Sequence, residues 1–204
     1  MAKRSLPRHI GFIPDGNRRW ARRQGLAKQD GYRFGIEPGL RLFELCKEAE
    51  IEEISVYCFT KDNVKRPAVQ TDAFRKASVD FAWEIISRGA AVMVVGDRSS
   101  EQFPAELAAF SERRGDGIKV NLLMNYGWEW DLSGLKTGTV RSKDVSRLDF
   151  IVRWGGGRRL SGFLPVQSVY ADFYVVDAYW PDFEDVHFRQ SLAWFGEQDQ
   201  TLGG

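Results

Sequence analysis

Apolar runs of strand length alternate with longer amphipathic stretches along the chain, and this constrains the fold more than any other sequence feature. Strand-like runs, most of them rich in Val, Ile, Phe and Tyr, occur at 9–14, 54–59, 90–96, 118–125, 148–153 and 171–176. Helical periodicity occupies 39–50, 71–88, 104–114, which opens with a proline, and 185–198. Strands separated by helices predict right-handed βαβ units around a mostly parallel sheet. At 204 residues, 43% of them hydrophobic, the chain has the material for one substantial core. The expected fold class is therefore α/β: residues 1–204 as a single domain, with a mostly parallel sheet of about six strands flanked by helices. The polar segment 134–143 reads as an exposed connection.

Open parallel sheets bind ligands beyond the carboxyl ends of their strands. Here those ends carry Asp15-Gly16-Asn17, Thr60-Lys61-Asp62-Asn63, Gly96-Asp97, Asn125-Tyr126-Gly127, and Arg153 followed by "WGGGRRLS". Five ends converge on one edge. The first continues as "IPDGNRRWARRQG", a single acid among four arginines. Arginine forks and close-approaching glycine amides suit a diphosphate, and one carboxylate beside phosphate oxygens suits a magnesium ion, with Asp15 as its ligand. Taken singly, each feature has a plainer explanation. The arginines could be a solvated helix face, Asp97 and Asn125 could be turn formers, and "GGGRR" matches neither GxGxxG nor GxxxxGK[ST]. Joint occurrence is what makes the phosphate reading specific.

Other classes are weaker. The net charge of +1 provides no global field for polyanions, so any cationic function is local. Eight Lys or Arg against two Asp in the first thirty residues, with Trp20 available for stacking, would suit nucleic acid, but Asp15 in the middle of the patch does not. Nucleic acid is not an expected partner. No apolar run is long enough to span a bilayer, so stable membrane insertion is not expected and the expected location is cytoplasmic. Cys46 and Cys58 read as buried reduced thiols, and His9 and His187 as structural.

The segments "HIGFIPDGNRRWARRQGL", "VYCFTKDNVKRP", "VMVVGD", "KVNLLMNYG" and "RWGGGRRLSGFLPVQSVYADFYVVDAYWPDF" occur in this order over nearly the whole chain. Together they resemble the cis-prenyltransferases, the undecaprenyl diphosphate synthase family. The resemblance implies an α/β homodimer with an apolar tunnel for the prenyl chain, and Mg2+-assisted condensation of an allylic diphosphate with a second isoprenoid diphosphate. It implies that Asp15 binds magnesium and helps expel diphosphate, and that Gly16, Asn17, Arg18 and Arg19 cradle the allylic diphosphate. It places Arg153, Arg159 and Ser161 on the diphosphate of the second substrate, Asn63 and Thr60 near the reacting carbons, and Lys28, Tyr32 and Arg66 in the substrate-binding set. Asp172 takes the position of an accessory metal-site acid.

Departures from the family pattern concentrate around the second substrate. Val64 replaces an aromatic, Gly157 replaces a glutamate, and the usual basic tail has become "QDQTLGG", residues 198–204. This pattern resembles the lavandulyl, cyclolavandulyl and isosesquilavandulyl synthases, most of all the last. It implies dimethylallyl diphosphate as nucleophile and geranyl or dimethylallyl diphosphate as allylic partner. The alternative is a regular short-chain synthase that uses isopentenyl diphosphate. Phe74, Phe81 and Trp83 are expected near the tunnel wall, which would favour a short product.

Overall fold

The computed structural model describes residues 5–199. Six strands, β1 (His9–Ile13), β2 (Glu53–Tyr57), β3 (Ala91–Val95), β4 (Lys119–Leu123), β5 (Phe150–Trp154) and β6 (Asp172–Val176), form one sheet in the order β3-β4-β2-β1-β5-β6. Every pairing is parallel, from Ile54 opposite Val120 to Trp154 opposite Val176. The helices are α1 (Asn17–Arg23), α2 (Ile36–Glu48), α3 (Ala68–Ser87), α4 (Trp128–Leu132) and α5 (Asp185–Glu197). None of the helices among the described residues is long and apolar enough to cross a membrane.

Both faces of the sheet are covered, so β1, β3 and β5 read as nearly unbroken apolar runs rather than alternating ones. On one face Ile10, Phe12, Ile54, Val56, Val152 and Trp154 pack with Phe43 of α2, Ile85 of α3 and Phe188 of α5. On the other, Ile13, Leu123 and Ile151 meet Tyr126, Phe163 and Leu164, which belong to connecting segments instead of long helices. Gly11 of β1 lies directly under Phe163; a Cβ there would sit 2.4 Å from the ring, so glycine sets how closely that cover approaches the sheet.

One expected element came out differently. The stretch 104–114 forms only a short 3₁₀ turn, Ala105–Phe110, of which Leu107 alone is buried. Five alanine or apolar positions in six residues imitate helical periodicity, but no second buried row exists to hold another turn. The segment 134–143 is largely exposed, although Gly134, Val140 and Ser142 are buried. Ser142 donates its backbone and hydroxyl hydrogens to the buried carboxylate of Asp131, at 2.8 and 2.7 Å, and Tyr126 donates to the same group at 2.6 Å.

His9 is structural. Its Nδ1 faces the carbonyls of Ser146 and Arg147 at 3.1 and 3.2 Å, so that nitrogen carries the hydrogen and Nε2 accepts from the Ser55 hydroxyl at 2.9 Å. Asn121 donates to Ser55 and to Glu53, and Ser146 donates to Glu53, closing a buried network across β1, β2 and β4. His187 caps α5, its Nδ1 accepting from the Glu184 backbone at 3.1 Å. Cys46 and Cys58 are buried free thiols, and burial pushes both pKa values up.

Burial pushes His9 below the ordinary histidine value of 6.5. Below that pH the unfolded chain takes up a proton that the folded chain resists, so stability falls as pH drops. Burial works against ionisation of Glu53, but His9 once protonated, the hydrogen bonds from Asn121 and Ser146, and the charge of Arg113 outweigh it and hold the carboxyl below the ordinary 4.5, so a second loss follows as pH falls through that region. Thermal unfolding midpoints should hold steady above about pH 7 and decline progressively below it, with His9→Gln flattening the first part of the decline. A midpoint unchanged down to about pH 5 would show that His9 is not held neutral.

Candidate active site

The turn after β1 builds the centre of the site. The Asp15 carboxylate folds back to accept the Gly16 backbone hydrogen at 2.6 Å, and Gly16 then starts α1 with a φ of 108°, a conformation that favours glycine. Space demands glycine there as well, since a Cβ would lie 2.8 Å from the Tyr179 ring. Asn17 donates to the Pro14 carbonyl at 3.2 Å, while its Oδ1 is buried with no partner among the described residues. The 3₁₀ segment Lys28–Gly35 presses against this corner: Gly31 and Gly35 are the points of contact, and Lys28 and Tyr32 are carried to its rim.

A buried cation occupies the end of β5. The Arg153 side chain is only 4% exposed, and its Nη2 donates to Asp15 at 2.8 Å. Its Nη1 donates to the Arg159 carbonyl at 2.6 Å and to the Ser161 hydroxyl at 2.9 Å. Nε is buried and without a partner. Arg19 approaches the same Asp15 oxygen at 3.3 Å, so one carboxylate is shared by two guanidinium groups. The loop 155–157 fits around them: Gly155 and Gly156 have φ of 83° and 72°, and a Cβ on Gly157 would fall 2.7 Å from Arg153 Nε. Tyr57, the last residue of β2, donates to the Ser161 carbonyl at 2.9 Å, and burial raises its pKa.

The opposite wall comes from the loop after β2. Thr60 and Asn63 form a reciprocal box in which the Asn63 amide oxygen accepts the Thr60 backbone hydrogen at 2.9 Å. Arg66 donates to the Tyr32 hydroxyl at 2.9 Å, and Tyr32 stacks on Phe74 of α3 with ring centroids 4.5 Å apart. Burial raises the Tyr32 pKa, opposed by Arg66 and Arg18. Arg18 donates to Gln70 at 3.0 Å. These walls enclose an open cleft of about 730 Å³. A narrower apolar pocket, about 60 Å³, adjoins it between the sheet and helices α2 and α3, lined by Phe12, Phe43, Ile54, Ala77 and Phe81. Asn17, Tyr32, Cys58 and Phe74 line both spaces.

The residues expected from the sequence to be catalytic, substrate-binding or metal-binding all line the cleft except Asp172. Asp172 opens β6 opposite Phe150, level with Ile10 at the amino ends of the strands. Asp15 lies beyond the carboxyl ends, on the order of 15 Å along the sheet, so the structure does not bring these two acids together within one chain. Asp97 and Asn125 also stay out of the cleft. Lys61 pairs with Asp97 at 2.7 Å, and Asn125 donates to the Asp97 carbonyl, so these residues tie the ends of β2, β3 and β4 together. Burial raises the Asp97 pKa, but hydrogen bonds from Lys61 and Ser99 outweigh it and leave it lowered. Trp83 is absent from the apolar pocket, being 45% exposed against Phe110. Trp20 donates to Asp182 at 2.7 Å and packs on Phe34, so its ring is engaged within the chain. The altered tail 198–204 lies outside the described residues from 200 onward. Sequence reasoning missed Tyr57, whose only signal was its place at a strand's carboxyl end, and Tyr179, which carried none.

Gly16→Ala should destabilise the fold by roughly 1–2 kcal/mol from the left-handed conformation alone, and by more through the Tyr179 contact. Thermal unfolding would measure it. A neutral substitution would show that this turn can relax.

Comparison with known proteins agrees with the geometry. The family described as putative undecaprenyl diphosphate synthase matches residues 13–140 and 133–203. An isoprenyl transferase of Thermus thermophilus is 31% identical over 97% of this chain and 89% of its own length. A (2E,6E)-farnesyl-diphosphate-specific ditrans,polycis-undecaprenyl-diphosphate synthase of Pseudomonas putida is 28% identical over 99% of this chain and 92% of its own. Among crystal structures, lavandulyl diphosphate synthase from Lavandula x intermedia, in complex with dimethylallyl diphosphate, superposes with a TM-score of 0.79 at 20% identity, covering 98% of this chain and 99% of that one. A probable undecaprenyl diphosphate synthase from Campylobacter jejuni gives a TM-score of 0.72, also at 20% identity, over 98% of this chain and 100% of that one. With its six-stranded parallel sheet, its acid held between two arginines and a family match over nearly the whole chain, this protein belongs to the undecaprenyl diphosphate synthase family of prenyltransferases.

Proposed function

We propose that this prenyltransferase joins geranyl or dimethylallyl diphosphate to dimethylallyl diphosphate, releasing diphosphate and giving a branched, non-head-to-tail product of the lavandulyl type, isosesquilavandulyl diphosphate when the allylic partner is geranyl. The observation that carries the reading is the junction of a cationic cleft with a narrow apolar pocket at Tyr32 and Phe74. That arrangement matches an amphiphile with a diphosphate head and a short prenyl tail. Gly157 beside Arg153 supplies no carboxylate to the second-substrate side, which supports a nucleophile other than isopentenyl diphosphate. The Lavandula structure of the same fold, held with dimethylallyl diphosphate, supports that substrate class.

In this reading Arg18 and Arg19, with the first turn of α1, whose leading N–H groups have no acceptor within the helix, hold the allylic diphosphate. Arg153, Arg159 and Ser161 hold the second one. The bond between the allylic C1 and oxygen breaks, its electrons leaving with diphosphate. The double bond of the second substrate attacks C1, and loss of a proton then restores an alkene. Guanidinium groups around Asp15 stabilise the leaving charge more as it develops than before. Asn63 and Thr60, locked against each other, line the cleft and in this reading stand near the carbons that would meet.

Magnesium fits this site. No group of three His, Cys, Asp or Glu able to cage an ion exists among the described residues, but Asp15 is partly exposed toward the cleft, and magnesium is ordinarily held by one or two carboxylates plus phosphate oxygens. Held by Asp15 and the allylic diphosphate, it would neutralise charge on the leaving group. We also propose a homodimer, supported by exposed Val166, Val169 and Tyr170 just ahead of the edge strand β6.

A regular short-chain synthase is the second reading. Arg153, Arg159 and Ser161 all line the cleft, and the curated relatives named above carry isoprenyl transferase or undecaprenyl names.

Incubation with magnesium and dimethylallyl diphosphate, alone or with geranyl or isopentenyl diphosphate, followed by mass spectrometry of the dephosphorylated alcohols, decides between them. A branched skeleton formed without isopentenyl diphosphate is the expected result; a linear product that requires it would establish the second reading. Asp15→Asn keeps an acceptor for Arg153 and Gly16 but removes the charge, and should lower turnover by about 100-fold or more with the melting temperature nearly unchanged. Asp15→Ala should abolish turnover in a folded protein, and normal activity in either variant would remove Asp15 from the mechanism. Phe74→Ala should open the pocket and shift acceptance toward longer allylic diphosphates, read as relative kcat/KM for farnesyl over geranyl diphosphate.

A further inference from the structure

Arg19 projects from a seven-residue helix and is 49% exposed, yet its guanidinium is held on three sides. Asp15 lies 3.3 Å away, the backbone of Gly155 closes one flank, and the Tyr179 ring lies beneath the guanidinium with its centroid 5.0 Å from Cζ. That spacing is within the range of a cation–π contact. The ring itself is fixed by the chain that carries it. Trp180, the next residue, donates its backbone hydrogen to the Asp15 carbonyl at 2.9 Å, and Ala178, the previous one, accepts from Gly155 at 2.8 Å. The same ring abuts Gly16. Among the described residues the Tyr179 hydroxyl has no hydrogen-bond partner, so the aromatic face and not the hydroxyl makes the contact.

We propose that Tyr179 is a positioning residue for diphosphate binding: its ring holds the Arg19 guanidinium beside Asp15, where an allylic diphosphate arrives. This rests on the site reading above. An exposed arginine otherwise spreads over many rotamers, and each one unable to reach the anion lowers affinity; a ring underneath removes those rotamers before the ligand binds.

Calorimetric titration of the whole protein with inorganic diphosphate and magnesium tests the inference. Tyr179→Leu should weaken binding about tenfold and Tyr179→Phe should bind as the parent does. In an Arg19→Met background Tyr179→Leu should have no further effect. Equal binding by Tyr179→Leu and parent overturns the proposal, as does an undiminished loss in the Arg19→Met background, which would place the effect on Gly16 or the fold. Should Tyr179→Leu not fold, Tyr179→Met, which keeps bulk beside Gly16, is read in the same way. A parent protein that binds no diphosphate would overturn the site reading itself, an outcome distinct from a parent that binds and a variant that binds equally well.

Discussion

A buried guanidinium at the end of β5 sets the terms for the rest of the site. Arg153 has almost no contact with solvent, and burying such a charge is costly unless it is paired and hydrogen-bonded. Asp15, the Arg159 carbonyl and the Ser161 hydroxyl meet that requirement, and each has to be delivered by a different segment. Asp15 arrives because β1 pairs with β5 in a register that puts Ile13 opposite Arg153. Arg159 and Ser161 arrive because the loop 155–157 turns through left-handed glycine conformations, and Ser161 itself has a φ of 52°. The glycine run is thus a fitting around a cation. With Nε left open and Arg19 added from α1, the centre holds more positive charge than its one carboxylate neutralises, a state suited to receiving an anion.

The two ends of the sheet contrast in charge. Toward the amino ends, His9, Ser55, Glu53, Asn121 and Ser146 satisfy one another in a closed network that leaves little for a ligand to take up. At the carboxyl ends the polar groups are arranged around a gap. That gap leads past Tyr32 and Phe74 into a space lined by the core itself, so the hydrophobic core and the binding site share a boundary. The Tyr32 ring belongs to both: its hydroxyl accepts from Arg66 in the cleft while its face stacks on Phe74 above the apolar pocket.

Much of this was legible in the residues. Parallel strands buried on both faces leave a periodic apolar signal, and all six appear within a few residues of where that signal puts them. The polar residues at strand ends located the cleft, because a parallel sheet aligns those ends by construction. What the residues left undecided has physical causes as well. Asp97 and Asn125 are polar strand-end residues like Asp15, but β3 and β4 form one margin of the sheet, where Lys61 engages Asp97 and the cleft does not reach. Asp172 takes a family position by resemblance of a short motif, whereas its strand pairing assigns it to the other end of the sheet. Trp83 shares the helix of Phe74 and Phe81 but projects from its outer side, a rotation that the weak amphipathic pattern of α3 could not specify.

By itself, the sequence determined the fold class, the six strands, the family and the cluster of arginines around one acid, because these depend on local periodicity and on motifs contiguous in the chain. Only the tertiary structure decided that Arg153 and Asp15, 138 residues apart, form the central pair, that Tyr179 underlies Arg19, and that Asp172 stands apart. Those relations depend on which strand lies beside which and in what register, and on which face of a short helix meets a neighbouring turn. Packing of the whole chain settles such quantities, and no single segment encodes them.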